Sequence, residues 1–84
     1  MWKISYETQV VRFLKKSDKL LQIQILKYLQ KISANPKSFG KALSANLKGL
    51  WRYRVGDYRI ICHLKEKEVT ILVIDIDHRN KVYN

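Results

Sequence analysis

Four of the five arginines lie in the second half of the chain, at Arg52, Arg54, Arg59 and Arg79, whereas lysines dominate the basic residues elsewhere. Arginine presents a planar fork of N–H donors that grips a phosphate through parallel hydrogen bonds, whereas lysine is a hydrated point charge. The clustering therefore predicts a phosphate-binding surface. The alternative is that each arginine pairs with a carboxylate on a neighbouring strand, because surface ion pairs are common.

The whole chain is strongly basic. Its 84 residues include 17 lysines and arginines against 7 aspartates and glutamates, which gives a formal net charge of +10. Such an excess in a small protein implies a polyanionic partner, most often nucleic acid, unless the charge serves solubility or is neutralised by an acidic protein. Lysines on solvated faces can add sequence-independent contacts to RNA phosphate. The candidates are Lys15, Lys16, Lys19 and Lys48.

Few residues of the chain could transfer protons or hold a metal ion. His78 is of the type that titrates near neutral pH, although it could equally cap or orient the tail. Tyr83 has a phenol whose ionisation neighbouring guanidinium groups would favour. The carboxylates are dispersed, whereas a two-metal nuclease needs several that converge, so we expect no metal and no cofactor. The single cysteine, Cys62, excludes an internal disulfide and a multi-cysteine zinc site.

Hydrophobic periodicity predicts the elements that must position these residues. Apolar residues at helical spacing predict two helices, which Ser17 and Asp18 separate by ending the first and capping the second. Alternation with a period of two predicts three strands, and the most apolar run of the chain predicts a fourth. Residues 36–49 are predicted to be a loop with one short turn around residues 42–45. The predicted elements are strand Trp2–Tyr6, helices Glu7–Lys16 and Lys19–Ser33, and strands Leu50–Val55, Tyr58–Leu64 and Val69–Ile76.

This order predicts one α+β domain over residues 1–84. The fold is an N-terminal strand, an αα-hairpin and a three-stranded antiparallel meander, with the helices packed on one face of the sheet. Strand alternation places Trp51 and Tyr53 on the apolar face. Arg52, Arg54 and Arg59 then share the uncovered face.

Nothing in the chain predicts association with a membrane. The longest apolar run falls far short of the roughly 20 residues that span a bilayer. The N-terminal sequence MWKISYET lacks the apolar stretch of a secretory signal. We therefore expect a cytoplasmic protein.

Several short motifs of the second half occur in a fixed order. They are Leu47-Lys48-Gly49, Trp51-Arg52-Tyr53-Arg54, Gly56-Asp57-Tyr58-Arg59, His78-Arg79 and Val82-Tyr83. Together with the preceding strand and helical pair, this order resembles the RelE/ParE superfamily of bacterial type II toxin–antitoxin systems over nearly the whole chain. Within the superfamily the pattern is most similar to RelE.

The resemblance implies a small RelE-like fold and a ribosome-dependent endoribonuclease. Such a toxin cuts translated messenger RNA by metal-independent attack of a 2′-hydroxyl, is held inactive by an acidic antitoxin, and reaches operator DNA only through that antitoxin. By position, Arg59 and Arg79 match the family's phosphate-binding arginines, and Tyr83 matches its functional tyrosine. Arg52 and Arg54 stand where some members have lysines. Arginine stays charged and cannot act as a base.

Three other functions remain open at this point. A ParE-like poison of DNA gyrase would share the fold without an RNA-cutting centre, although the combination of Arg59, Arg79 and Tyr83 favours the ribonuclease. A degenerate toxin could survive as a module that binds antitoxin and operator, since the lysines are missing at positions 52 and 54. A non-toxin RNA-binding domain is also compatible, because fold alone does not fix function.

Overall fold

The computed structural model describes residues 1–43 and 49–78. The predictions made for Lys48, Arg79 and Tyr83 therefore lie outside the described residues. The predicted helices and strands agree with the structure to within two residues at each end. The elements are β1 (Lys3–Tyr6), α1 (Thr8–Lys16), α2 (Lys19–Ile32), β2 (Lys41–Ala42), β3 (Leu50–Val55), β4 (Tyr58–Lys65) and β5 (Thr70–His78).

The break between the two helices forms where polar side chains can bond to backbone groups at the helix ends. The Ser17 backbone N–H donates to the Leu14 carbonyl at the end of α1. The Asp18 side chain then accepts from the Leu21 N–H at 2.8 Å and caps α2. Such an N-cap stabilises a helix by about 1 kcal/mol. The predicted stop and fresh start are confirmed.

The described strands form one sheet in the order β1-β5-β4-β3-β2. The β3, β4 and β5 strands are the predicted antiparallel meander, and β1 joins the β5 edge in parallel. The prediction of a loop over residues 36–49 was wrong at Lys41–Ala42, which form β2 and pair antiparallel with β3. Two residues are too few to show an alternating pattern, so the strand is set by its partner rather than by its own sequence.

The hydrophobic core lies between the helices and one face of the sheet, as predicted. Val10 of α1 and a stripe of α2 at helical spacing are buried against the apolar side chains of the sheet. The buried hydrophobic residues of the helices are Val10, Ile25, Leu29 and Ile32, and those of the sheet are Tyr53, Ile60, Cys62, Leu64, Ile71, Val73 and Ile76.

A β-bulge in β5 decides which face its acidic residues occupy. Ile61 pairs with Asp75 whereas Cys62 pairs with Val73, so Ile74 is the extra residue. The Gln9 side chain of α1 donates to the Ile74 carbonyl and satisfies it. Because the bulge shifts the alternation by one residue, Ile76 returns to the core and Asp75 turns away from it.

Candidate functional site

Three arginines lie on the side of the sheet that the helices leave uncovered, which we call the arginine face. Arg52 and Arg54 alternate with buried Tyr53 on β3, and Arg59 precedes buried Ile60 on β4. Arg54 and Arg59 are directly opposite in register. Like charges at opposed strand positions destabilise a sheet. A bound polyanion would relieve this repulsion.

The arginine face contains a cleft of about 450 Å³ at the β2–β3 edge. Its lining residues come from three neighbouring strands, β2, β3 and β4, and from Gly40 just before β2. The lining residues are Gly40, Lys41, Arg52, Tyr53, Arg54 and Arg59. Four of these six residues are cationic, so the cleft would attract a group of high negative charge density.

Lys41 is a member of this cleft that sequence analysis missed. It is exposed and pairs in register with Arg52, which places both side chains on the arginine face. Gly40 lies just before β2 and has a positive φ of 63°. The glycine itself is the feature of the sequence that could have indicated this segment. A glycine before a basic residue can mark a bend that brings the chain back to a sheet edge.

Gly40 lets β2 approach β3 closely. A Cβ atom at this position would lie 2.4 Å from the Arg52 carbonyl oxygen and 2.6 Å from Cδ1 of Tyr53. Glycine is therefore required both by the backbone angle and by the lack of space. The close approach fixes Lys41 against the cleft.

Tyr53 anchors the same segment from the core side. Its hydroxyl donates to the Pro36 carbonyl at 2.7 Å, and its ring packs edge-on against Tyr28 and stacks on Trp51. Burial raises the pKa of the Tyr53 phenol, with smaller contributions from Cys62 and Tyr28. The Tyr53 hydroxyl therefore has a structural role. Trp51 and Tyr53 belong to the apolar side, as predicted.

Two carboxylates border the arginine face on the β5 side. Asp77 is opposite Arg59, and Asp75 is opposite Ile61. Partial burial, followed by the hydrogen bond and the charge of Asp77, raises the pKa of Asp75, and a backbone hydrogen bond from Ile76 partly offsets this. Among the residues that the structure describes, Arg52 and Arg54 form no ion pair with a carboxylate. For these two arginines, the pairing alternative therefore finds no support within that part of the chain.

His78 lies on the other side of the sheet from the arginine cleft. It pairs in register with Tyr58, and the two rings meet edge-on with centroids 5.0 Å apart. Tyr58 in turn contacts Phe13 of α1. The structure thus brings Arg52, Arg54 and Arg59 together, and places His78 in the helix-facing layer instead.

The predicted lysines of the helical hairpin are exposed. Lys15 and Lys16 end α1, and Lys19 begins α2. The Phe13–Tyr58 contact places the end of α1 beside the β3–β4 turn. That turn lies between Arg54 and Arg59 in the chain, one pair beyond their opposed positions. One end of the molecule therefore carries both the hairpin lysines and these two arginines.

Other kinds of site find no support in residues 1–43 and 49–78. No group of three metal-ligating side chains forms there. Burial raises the pKa of the Cys62 thiol to about 12, which makes it a poor nucleophile. Within the same residues, no helix has both the length and the apolar character needed to cross a membrane.

Comparison with known proteins gives consistent results. The chain is 31% identical over 52 residues to toxin RelG of Mycobacterium tuberculosis strain H37Rv, a match that covers 62% of this chain and 60% of that toxin. The RelBE2 toxin–antitoxin complex of the same species gives a TM-score of 0.81 at 24% identity, covering 93% of this chain and 98% of that one. The archaeal RelE–RelB complex of Pyrococcus horikoshii OT3 gives 0.75 at 22% identity, covering 95% and 97%.

These structural similarities show the fold, an α+β arrangement of two helices on a mostly antiparallel sheet. The family follows from the sequence itself, because residues 4–83 match the profile described as "ParE toxin of type II toxin-antitoxin system, parDE". That match spans nearly the whole chain and includes every strand that lines the arginine cleft. The chain therefore belongs to the ParE toxin family of type II toxin–antitoxin systems, within the RelE/ParE superfamily.

Proposed function

We propose that this toxin is a ribosome-dependent endoribonuclease that cleaves translated messenger RNA. The observation that carries the proposal is the convergence of Lys41, Arg52, Arg54 and Arg59 on one cleft. Three of these four side chains are guanidinium groups, which match the geometry of phosphate oxygens. A cleft lined by several cations suits a polyanionic substrate such as RNA.

Cleavage in the cleft would use the RNA's own 2′-hydroxyl as the nucleophile. Its attack on the adjacent phosphorus places additional charge on the phosphoryl oxygens, and preorganised guanidinium groups stabilise that charge. Arg59 lies within β4, between strands β3 and β5, so the sheet fixes its direction. Arg52 and Arg54 approach from the neighbouring strand. Cations on two strands can thus hold one phosphate from two sides.

The remaining proposed site residues lie at the end of β5 and beyond it in sequence. Arg79 and Tyr83 are proposed, from the resemblance, to act on the same phosphate as Arg59. We assign His78 a positioning role, because its contact with Tyr58 holds the end of β5 from which the chain continues to Arg79. No metal or cofactor is required by this chemistry.

The ribosome would hold the RNA in the conformation that cleavage requires, which the open cleft alone does not impose. In-line alignment of a 2′-oxygen, phosphorus and 5′-oxygen is worth several kcal/mol when a substrate is held in position. Lys15, Lys16, Lys19 and Lys48 are proposed to contact ribosomal RNA phosphate while the cleft engages the message. Translating ribosomes are cytoplasmic, and this is where the toxin would act.

An acidic antitoxin is the proposed partner that silences the toxin. The similar solved structures are a toxin–antitoxin complex from Mycobacterium tuberculosis and a RelE–RelB complex from Pyrococcus horikoshii. A net charge of +10 attracts an acidic protein and speeds its capture. Expression from the native operon should therefore yield a complex with a small acidic protein, and operator DNA would be bound through that protein.

The test is to induce the protein in growing cells and map new 5′ ends on messenger RNA. Cuts within translated frames support the proposal. Purified toxin should cut messages on programmed ribosomes far faster than the same RNA alone. Equal cutting of naked RNA would contradict the ribosome requirement.

A second candidate is a gyrase poison, because the matching family profile is that of the ParE toxins. Induction would then produce DNA breaks without messenger RNA cuts. A third outcome, stable antitoxin binding with neither RNA cuts nor DNA breaks, would identify a degenerate toxin that retains only its binding role.

A further inference from the structure

Lys41 differs chemically from the other cations of the cleft. Arg52, Arg54 and Arg59 stay protonated in proteins and cannot exchange a proton with a substrate. A lysine ammonium can give its proton to a strongly basic oxygen. RNA cleavage generates such an oxygen, because the departing 5′-alkoxide needs a proton as the P–O5′ bond breaks.

The segment that carries Lys41 is held firmly on both sides. Pro36 accepts the Tyr53 hydroxyl, Lys37 pairs with Glu66, and Lys31 lies 5.3 Å above the Phe39 ring centroid. On the other side, the Leu43 N–H donates to Leu50 at 2.9 Å. These contacts lock β2 against β3 and hold the Lys41 backbone opposite Arg52. A catalytic group needs this kind of preorganisation.

Other proton-transferring side chains of the described residues are placed less well. The Tyr53 hydroxyl is bonded to Pro36, and His78 lies in the helix-facing layer. His63 is on the arginine face but pairs with Leu50 and Leu72, and it does not line the cleft. The cleft-lining residue that can give a proton to a leaving oxygen is therefore Lys41.

We propose that Lys41 is the general acid of the reaction, an inference that rests on the proposed ribonuclease function. The 2′-oxygen bonds to phosphorus and releases its proton to water, while the P–O5′ bond breaks and the 5′-oxygen takes a proton from Nζ of Lys41. The products are a 2′,3′-cyclic phosphate and a 5′-hydroxyl. The neutral lysine then regains a proton from water.

The experiment uses Lys41→Arg, which keeps the positive charge and removes the transferable proton. Two messages are compared on programmed ribosomes, an ordinary one and one with a single sulfur replacing the bridging 5′-oxygen at the cut. Thiols ionise near a pKa of about 8.5, so a thiolate leaves without protonation. Lys67→Arg is the matched control, because Lys67 is an exposed lysine beyond the far end of β4.

Lys41→Arg should cut the ordinary message about 10²–10⁴-fold more slowly than wild type, the usual contribution of a general acid. It should cut the sulfur-containing message at the wild-type rate, and Lys67→Arg should match wild type on both. Wild-type rates for Lys41→Arg on the ordinary message overturn the inference. So does an equal loss on both messages, which would indicate a binding role. Failure of the wild-type toxin to cut either message would instead overturn the proposed ribonuclease function.

Discussion

The two faces of the sheet are formed by alternate residues of the same strands, yet one face is apolar and buried and the other is cationic. On the helix-facing side, Tyr53 and Ile60 are fully enclosed by apolar neighbours. On the arginine face, their sequence neighbours Arg54 and Arg59 occupy directly opposed positions of the strand pair, so like charges face the same surface. One face stabilises the fold and the other concentrates positive charge. Substitutions one residue apart should therefore separate stability from activity.

Ile60→Ala should have the largest effect on stability. The Ile60 side chain is 0% exposed at the centre of the core. Removing its methyl and methylene groups leaves a cavity, and such changes lower the free energy of unfolding by about 2–5 kcal/mol. Urea unfolding followed by circular dichroism measures the loss. A change below about 0.5 kcal/mol would contradict the division of roles between the faces.

Arg59→Ala should have a large effect on cleavage and a small effect on stability. Loss of one preorganised charge from the cleft should slow RNA cleavage by about 10²–10³-fold, while a substitution at this half-buried position outside the core should leave stability largely unchanged. Cleavage of messages on programmed ribosomes gives the rate, and the same urea titration gives the stability. Arg12→Ala is the matched control, since Arg12 is an exposed arginine of the helix layer. Equal rates for the two variants would remove Arg59 from the site.

Sequence patterns predicted the helix-facing side of the molecule well. The α2 stripe ending at Ile32 and the strand Leu50–Val55 follow from periodicity, because burial of one face imposes a period of 3.6 or 2. The sharing of one face by Arg52, Arg54 and Arg59 follows from the same alternation.

What sequence patterns missed depends on contacts between distant segments. Lys41 joins the cleft because β2 pairs with β3, and a two-residue strand carries no periodic signal of its own. The bulge at Ile74 reverses the alternation in β5, so simple counting from Val73 would have put Asp75 in the core. His78 was a candidate for proton transfer because of its side-chain type, whereas its contact with Tyr58 lies on the opposite side of the sheet from the cleft. The roles of Arg79 and Tyr83 stay predictions.

Gly40→Ala should weaken the packing of β2 against β3. Gly40 and Gly56 have similar positive φ angles of 63° and 58°, but a Cβ at Gly56 would meet no atom within 4 Å. Backbone strain of about 1–2 kcal/mol is therefore common to both alanine variants. The clash with Arg52 and Tyr53 is added in Gly40→Ala alone.

The two glycine variants can be compared by urea unfolding and by RNA cleavage. Gly40→Ala should be the less stable variant, and it should also lose cleavage at temperatures where it remains folded, because β2 carries Lys41. Gly56→Ala should keep its cleavage rate. Equal losses in both variants would show that the close approach of β2 to β3 is unimportant for the cleft.

Asp75→Asn should produce the smallest effect, and it should be stabilising. Partial burial and the neighbouring Asp77 raise the pKa of Asp75, so the folded protein binds this proton more tightly than the unfolded chain does. The favourable contribution is complete below the unfolded pKa of about 3.9 and is lost as the pH rises through the higher folded value. Asparagine keeps the shape and cannot ionise. At pH 7 it should therefore increase the free energy of unfolding, by less than about 1 kcal/mol because the site is partly solvated.

The effect should shrink as the pH is lowered and the wild-type carboxyl regains its proton. Urea titrations of wild type and Asp75→Asn between pH 4 and 8 measure the difference. Asp77→Asn provides the complementary test, because it removes the negative charge that acts on Asp75. A loss of stability in Asp75→Asn at pH 7 would mean that attraction to the arginine face outweighs repulsion within the acidic pair. In that case the arginine face would be closer to internal charge balance than the opposed Arg54 and Arg59 indicate.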